Sequence, residues 1–252
     1  MTPTALYLDL LKKSLTDTLH SVEPDADAGG SRFIVDFLHH YIKGQALSML
    51  PRGRLDHLQA CVEDVIRRDV PGDLLEAGVW RGGAVIFMRA VLSVYGVTNR
   101  CVWAADSFQG LPEPDAARFP KEAAAHSGPV MRDAFQNLAV SLDAVKDNFA
   151  RYGMLDAQVR FLPGWFKDTL PTAPIERLAV LRLDGDFYES TRDGLLHLYD
   201  KLSPGGYVIL DDYGEDMWTH CRAAVDEFRA ERGITEPMVQ LDRGCWYWVR
   251  GN

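Results

Sequence analysis

Leu74-Leu75-Glu76-Ala77-Gly78-Val79-Trp80-Arg81-Gly82-Gly83 is the stretch that decides the fold. Its aliphatic start reads as the end of a buried strand, its glycines as a tight turn, and the residues beyond it, Ala84–Tyr95, as a helix. A strand that passes through a glycine turn into a helix opens a doubly wound α/β sheet, whose ligands sit at the carboxyl ends of the strands. Glycines there let the backbone turn sharply and approach a ligand, which makes Gly78 and Gly82 candidate cofactor contacts. The pattern is E-x-G-x-x-x-G-G and not the G-x-G-x-x-G that brings a pyrophosphate to a helix N-terminus. Glu76 stands where a phosphate would be repelled. A carboxylate suits a cationic ligand, and S-adenosylmethionine carries both an ammonium and a sulfonium. The other reading is a strand-to-helix turn with no ligand.

Outward from this stretch, short apolar runs alternate with helical ones. The runs are Asp73–Ala77, Cys101–Ala105, Gln158–Leu162, Arg177–Leu183 and Tyr207–Leu210. Helical spacing occupies Ala84–Tyr95, Leu138–Tyr152, Glu189–Leu202 and Met217–Arg232. This alternation predicts a mostly parallel sheet covered on both faces. Met238–Leu241 and Cys245–Arg250 flank Asp242-Arg243-Gly244 and predict an antiparallel hairpin that closes the sheet. Ser107–Gln136 is long for a connection and rich in Pro, Ala and charge, as lids often are.

Before the first strand the chain reads as helical. Leu6, Leu10, Leu11, Leu15 and Leu19 place a helix over Thr4–His20, Arg32–Tyr41 reads as a short helix, and Leu55, Leu58, Val62, Val65 and Ile66 mark a stronger one. Glu23–Ser31 and Lys43–Arg54 read as loops. The expectation is a helical N-terminal extension or lid over residues 1–70 and a donor-binding domain over 71–252.

Composition narrows the partners. The 252 residues carry a formal charge of -9, which argues against a phosphate-backbone partner. No run approaches the roughly 18 apolar residues of a membrane span, and Asp9, Lys12, Lys13 and Asp17 interrupt the first 19 residues where a signal peptide would be apolar. Cys61, Cys101, Cys221 and Cys245 lack metal or redox spacing; Cys61 and Cys101 read as core thiols. These features predict a cytoplasmic protein with no membrane or nucleic-acid partner.

At the second strand's end, Asp106 either accepts the two ribose hydroxyls of a nucleoside or caps the loop that follows. Pro163-Gly164-Trp165-Phe166-Lys167-Asp168, after the third strand, either walls an adenine pocket or packs in the core. The fourth strand ends Leu183-Asp184-Gly185-Asp186 and the fifth Leu210-Asp211-Asp212. Four carboxylates at two neighbouring strand ends would repel one another without a cation. Oxygen ligands without histidine favour Mg²⁺, Ca²⁺ or Mn²⁺ over zinc. A hydroxyl is a poor nucleophile while protonated, and a metal and a base together remedy that. Asp184, Asp211 and Asp212 are assigned as metal ligands and Asp186 as the base; helix capping is the other use for such acids.

With both ends in place, the sequence resembles the macrocin O-methyltransferase family. The motifs that carry the resemblance are Leu75–Gly83, Ala105–Gly110, Phe161–Asp168, Leu183–Asp186 and Leu202–Tyr213, in that order, within Arg54–Arg250. The resemblance implies a class I methyltransferase of Rossmann-like fold that methylates deoxysugar hydroxyls on macrolides and related antibiotics. It implies Mg²⁺ at Asp184, Asp211 and Asp212, Asp186 near the acceptor hydroxyl, and Glu76, Gly78, Asp106 and Ser107 at S-adenosylmethionine. It also implies a homo-oligomer whose N-terminal helices cover the site. The first 50 residues and Leu111–Asn137 depart from the family's pattern, and in the family such regions help to form the acceptor pocket. A phenol or catechol acceptor is the nearest alternative; a dinucleotide-dependent oxidoreductase is a more distant one, disfavoured by the missing glycine fingerprint and the four acids.

Tyr188, Tyr213 and Trp218 either face a sugar or staple helices. His39 and His40 read as surface or interface residues, and His197 and His220 as structural. Trp246, Tyr247 and Trp248 alternate faces of a strand and read as core or interface.

Overall fold

The structure, a computed structural model, describes residues 1–22, 24, 36–127, 137–214 and 219–251. Among these residues a seven-stranded sheet carries the chain. In chain order its strands are β1 (Asp73–Ala77), β2 (Val102–Asp106), β3 (Val159–Pro163), β4 (Leu178–Leu183), β5 (Leu202–Leu210), β6 (Val239–Gln240) and β7 (Trp246–Val249). Their order across the sheet is β3-β2-β1-β4-β5-β7-β6. The first five pair in parallel, and β7 runs antiparallel to both β5 and β6. This is the mostly parallel sheet with a closing hairpin that the alternation predicted. Asp242 makes the hairpin turn by accepting the backbone N–H of Gly244 at 2.9 Å and of Cys245 at 2.7 Å.

Successive side chains of a strand point to opposite faces, so each buried strand feeds two cores. Leu74, Val102, Ala104, Val180 and Ile209 pack on one face with residues of helices α1 (Pro3–Leu15), α2 (Arg52–Arg67), α3 (Gly83–Val94) and α5 (Leu142–Arg151). Leu75, Trp103, Leu181, Val208 and Leu210 pack on the other, with Leu195 and Leu198 of α7 (Tyr188–Leu198) and Val225 and Phe228 of α8 (Thr219–Arg232). Two short helices complete the chain: α4 (Pro120–Ser127) in the long insert and α6 (Phe166–Thr169) after β3.

Several boundaries differ from the sequence expectation for identifiable reasons. The first helix stops at Leu15 and not at His20, because Asp17 turns left-handed (φ 58°) and the N–H of Thr18 reaches back to the carbonyl of Lys13. Its buried face is Leu8, Leu11 and Leu15, while Leu6, Leu10 and Leu19 are exposed. The second strong helix begins earlier, at Arg52, directly after Pro51, whose fixed φ precedes the first turn. β5 starts at Leu202, before the expected Tyr207, because the strand survives an irregularity over Ser203-Pro204-Gly205-Gly206, where its register against β4 shifts. Of the helix expected at Arg32–Tyr41, residues 36–42 are described, ending in a π-helical turn, Leu38–Ile42. The acidic stretch Glu23–Ser31 (apart from Pro24), residues 128–136 of the long insert, and Trp218 lie outside the described residues.

The helices before β1 share the core of the sheet and are tied to the glycine turn. Within that turn Arg81 donates to the carbonyls of Tyr41, Ile42, Gly44 and Ala46, the closest at 2.7 Å. Its guanidinium also lies 4.3 Å from the centre of the Trp80 ring. Gly83 donates to the Leu47 carbonyl, and a Cβ on Gly83 would meet that oxygen at 2.4 Å. A glycine is therefore required there by close approach of two backbones.

Candidate functional site

The segments that follow the carboxyl ends of β1, β2, β3 and β4 border a cavity of about 290 Å³. Gly78, Asp106, Ser107, Trp165 and Asp184 line it, together with Leu111 of the insert and Lys167, Ser190 and Asp193. Residues singled out at four separate strand ends are thus brought to a single space.

The donor side is built from local turns. Gly78 has φ 90°, and a Cβ there would lie 1.8 Å from the Asp184 carbonyl, so only glycine lets β1 and β4 end side by side. Asp106 accepts the N–H of Val79 at 2.8 Å through one oxygen and that of Phe108 at 2.7 Å through the other. Asp106 therefore caps the turns that follow β1 and β2, and it also lines the cavity. Burial raises its pKa, against the lowering effect of these backbone bonds. Ser107 donates to the Gly110 carbonyl and accepts from Gln109, which folds the start of the insert back over the cavity. Gly164 (φ 134°) donates to the Asp106 carbonyl and delivers Trp165 to the cavity wall. Gly82 stands apart from the wall: a Cβ there would meet Phe149 and Val145, so its glycine serves the packing of α3 on α5.

Glu76 is 2% exposed and Arg182 is 1% exposed. They are register partners on β1 and β4, and Arg182 Nη1 donates to Glu76 Oε1. The same Nη1 reaches Asp184 at 2.8 Å, and Nη2 donates to Asp211. Burial opposes the charge on Arg182, but Asp211, Asp184 and Glu76 outweigh it and hold its pKa well above the ordinary value. Burial pushes Glu76 up to about 8. Its second oxygen, Oε2, is buried with no hydrogen-bond partner among the described residues.

On the acid side, one carboxylate oxygen each of Asp184, Asp211 and Asp212 lies within 4.8 Å of the others. Arg54 of α2 bridges Asp211 at 2.7 Å and Asp242 at 2.7 Å. Burial and then mutual repulsion raise Asp184 to about 6, and push Asp186 and Asp212 well above the usual carboxylate range. Asp186 sits in the left-handed region (φ 59°), where the N–H of Phe187 bonds the carbonyl of Gly185 in a three-residue turn. Its own N–H donates to Asp212 at 3.1 Å. Trp80 and Phe108 are also left-handed. Such conformations cost energy and persist where the surroundings enforce them, often at functional sites.

The insert docks on this edge. Glu122 of α4 is buried and accepts the N–H of Tyr188, the first residue of α7. Phe119 stacks on Tyr188 at 4.7 Å, and His220 meets Phe119 edge-on. Tyr188 also donates to Glu227, and Tyr213 to Asp226, so both rings are engaged in packing. His40 bonds the Thr16 carbonyl, which makes it structural.

Sequence reasoning overlooked Arg182, Arg54, Arg81 and Glu122. Arg182 left a signal: it is the lone charge in the run Leu178–Leu183, opposite Glu76, the lone charge in the apolar core of β1. Arg54 and Glu122 left none, since their partners are remote in the chain.

Comparison with known proteins shows the family. The family model described as Macrocin-O-methyltransferase (TylF) matches residues 41–250. A tetracenomycin 4'-O-methyltransferase of Streptomyces olivaceus, named for a dimethoxy-rhamnosyl tetracenomycin, is 49% identical over 96% of this chain and 92% of its own. The mycinamicin III 3''-O-methyltransferase of Micromonospora griseorubida is 46% identical over 97% and 96%. The solved structure of the O-methyltransferase NovP superposes with a TM-score of 0.85 at 45% identity, over 99% of this chain and all of that one. The chain belongs to the macrocin O-methyltransferase family and is an S-adenosylmethionine-dependent O-methyltransferase of class I fold. The oxidoreductase alternative falls with that membership.

Proposed function

We propose that this member of the macrocin O-methyltransferase family methylates a sugar hydroxyl of a glycosylated natural product, with Mg²⁺ held by Asp184, Asp211 and Asp212 and with Asp186 as the base. The observation that carries the reading is the single cavity that joins Gly78, Asp106 and Trp165 to Asp184. A methyl donor seated against the first three would face the acid cluster. The relatives named above are sugar- or macrolide-directed O-methyltransferases, which supports the acceptor class.

The acids fit a hard divalent cation. Three carboxylate oxygens within 4.8 Å of one another need little movement to share an ion, and among the described residues no histidine or cysteine joins the group. Such an ion would lower the pKa of an acceptor hydroxyl and orient it. The chain's own groups do the rest. Glu76 Oε2 is a buried acceptor aimed at no protein donor, which suits the donor's ammonium. Asp106 keeps acceptor capacity for the ribose hydroxyls, Ser107 borders it, and Trp165 offers a face to the adenine. Asp186 takes the acceptor proton on its carboxylate; burial and the neighbouring carboxylates raise its pKa, which makes it a stronger base than a free aspartate. Residues 1–70 and the insert cover the site, and a homo-oligomer completes the cover.

The test is mass spectrometry of a panel of glycosylated and aglycone acceptors incubated with S-adenosylmethionine and MgCl₂. A one-methyl gain on the sugar, abolished by EDTA and restored by Mg²⁺, is the expected result. Methylation of the aglycone would overturn the acceptor class, and a full rate in excess EDTA would overturn the metal.

A further inference from the structure

Glu76, Arg182, Asp184 and Asp211 fall on one face of the sheet by strand geometry alone. Glu76 and Arg182 are register partners, Arg182 is partnered on its other side by Ile209, and Asp184 and Asp211 each follow two positions later. A single guanidinium therefore meets carboxylates from β1, the end of β4 and the end of β5. Its Nη1 is shared between Glu76 and Asp184, and Nη2 holds Asp211. Glu76 belongs to the donor side and the two aspartates to the metal side, so Arg182 touches both.

We propose that Arg182 is a positioning residue that couples the two halves of the site, so that filling the acid cluster with a divalent cation tightens the binding of the methyl donor, and the converse. The inference rests on the donor and metal assignments made above. Without a cation, Arg182 divides its charge among three carboxylates, helped by Arg54 at Asp211, and Glu76 receives only part of it. A cation at Asp184 and Asp211 takes over their neutralisation. The guanidinium, a rigid plate of donors, is then released towards Glu76. Glu76 Oε1 is fixed more firmly, and Oε2, which has no partner, is held charged and oriented for an ammonium. Linkage makes the effect reciprocal. A lysine at this position has one compact charge and cannot span the three carboxylates.

The experiment is calorimetric titration of the full chain with S-adenosylhomocysteine, in EDTA and in saturating MgCl₂. This ligand carries the ammonium but not the sulfonium, so sulfonium–metal repulsion does not mask the coupling. The wild-type chain should bind it about tenfold more tightly in MgCl₂, within the usual range of allosteric coupling. In Arg182→Lys the two affinities should differ by less than about twofold, with thermal unfolding still cooperative. Glu76→Gln removes the other end of the same link with an isosteric side chain. It should lose the coupling as well, and it decides the matter alone if Arg182→Lys does not fold. Equal wild-type affinities in the two buffers would overturn the inference, as would a tenfold effect that persists in either variant. A wild-type chain that binds no S-adenosylhomocysteine, or no Mg²⁺ by thermal shift, would overturn the donor or metal assignment and this coupling with it. Independent binding of both would overturn the coupling only.

Discussion

At the end of β2, Asp106 and Ser107 are satisfied mainly by backbone groups; at the ends of β4 and β5, Asp184 and Asp211 are satisfied by arginine side chains. Asp106 caps Val79 and Phe108, and Ser107 folds onto Gly110. Asp184 and Asp211 instead depend on Arg182, and Asp211 and Asp242 on Arg54 of a helix that lies before the sheet. The first arrangement survives the loss of its ligand, because backbone amides hold it. The second is crowded with like charges and is stable only while cations are supplied, by the chain or by solution. On the proposed assignment, chemistry that needs a shifted carboxylate falls to the second, and donor binding to the first.

The largest test of this division is Asp186→Ala. Turnover should fall about a thousandfold, as for loss of a general base, while S-adenosylhomocysteine affinity stays within about twofold. A matching loss of donor affinity would show that the two ends are not separable. Next, Arg54→Ala should destabilise the protein by about 3 kcal/mol, since it leaves buried Asp211 short of a counter-charge. Urea unfolding reads this directly, and an unchanged midpoint would mean that Arg182 alone suffices.

The pH dependence is a smaller effect of defined sign. Glu76 goes from an ordinary 4.5 to about 8 on folding. An acid whose pKa rises on folding contributes stability that is fully present below its unfolded value and lost as pH climbs through its folded one. In EDTA, stability should therefore fall between about pH 4.5 and pH 8. Glu76→Gln should flatten that fall by more than about 1 kcal/mol, a pKa unit being worth about 1.4. An unaltered slope would place the titration elsewhere in the cluster. The smallest expected effect is that of Glu122→Ala, which removes the acceptor for the first amide of α7 and should cost about 1 kcal/mol, as lost helix caps do. Acceptor KM should rise a few-fold with kcat nearly unchanged, since the insert and not the acid cluster is loosened.

The same contrast explains what the sequence disclosed. Gly78, Asp106 and the four aspartates were legible because turns and strand ends write themselves locally, in glycines and in a change of hydrophobic period. The parallel sheet and its hairpin followed from that rhythm. Pro204-Gly205-Gly206 broke the rhythm and hid the first half of β5. Arg54 could not be found, since its partners lie at Asp211 and Asp242, beyond the reach of any local pattern. Gly82 was legible as a glycine but not in its reason, which is the ring of Phe149 on a distant helix. Exposure of Leu6 and Leu10 likewise depends on which face of the first helix meets α3, a tertiary choice that leucine spacing alone leaves open.

Arg81 has a bearing on how such a chain diverges. It gathers the carbonyls of Tyr41, Ile42, Gly44 and Ala46, while the side chains of Tyr41, Ile42 and Ala46 are buried beside Trp80, so both the path and the packing residues of that leader are constrained. Kin that retain the arginine, the glycine at 83 and the buried residues at 41, 42 and 46 should accept one another's leaders as interchangeable parts. In a lineage that has lost any of these, the leader must take a different route, and a transplant from this chain would find no seat.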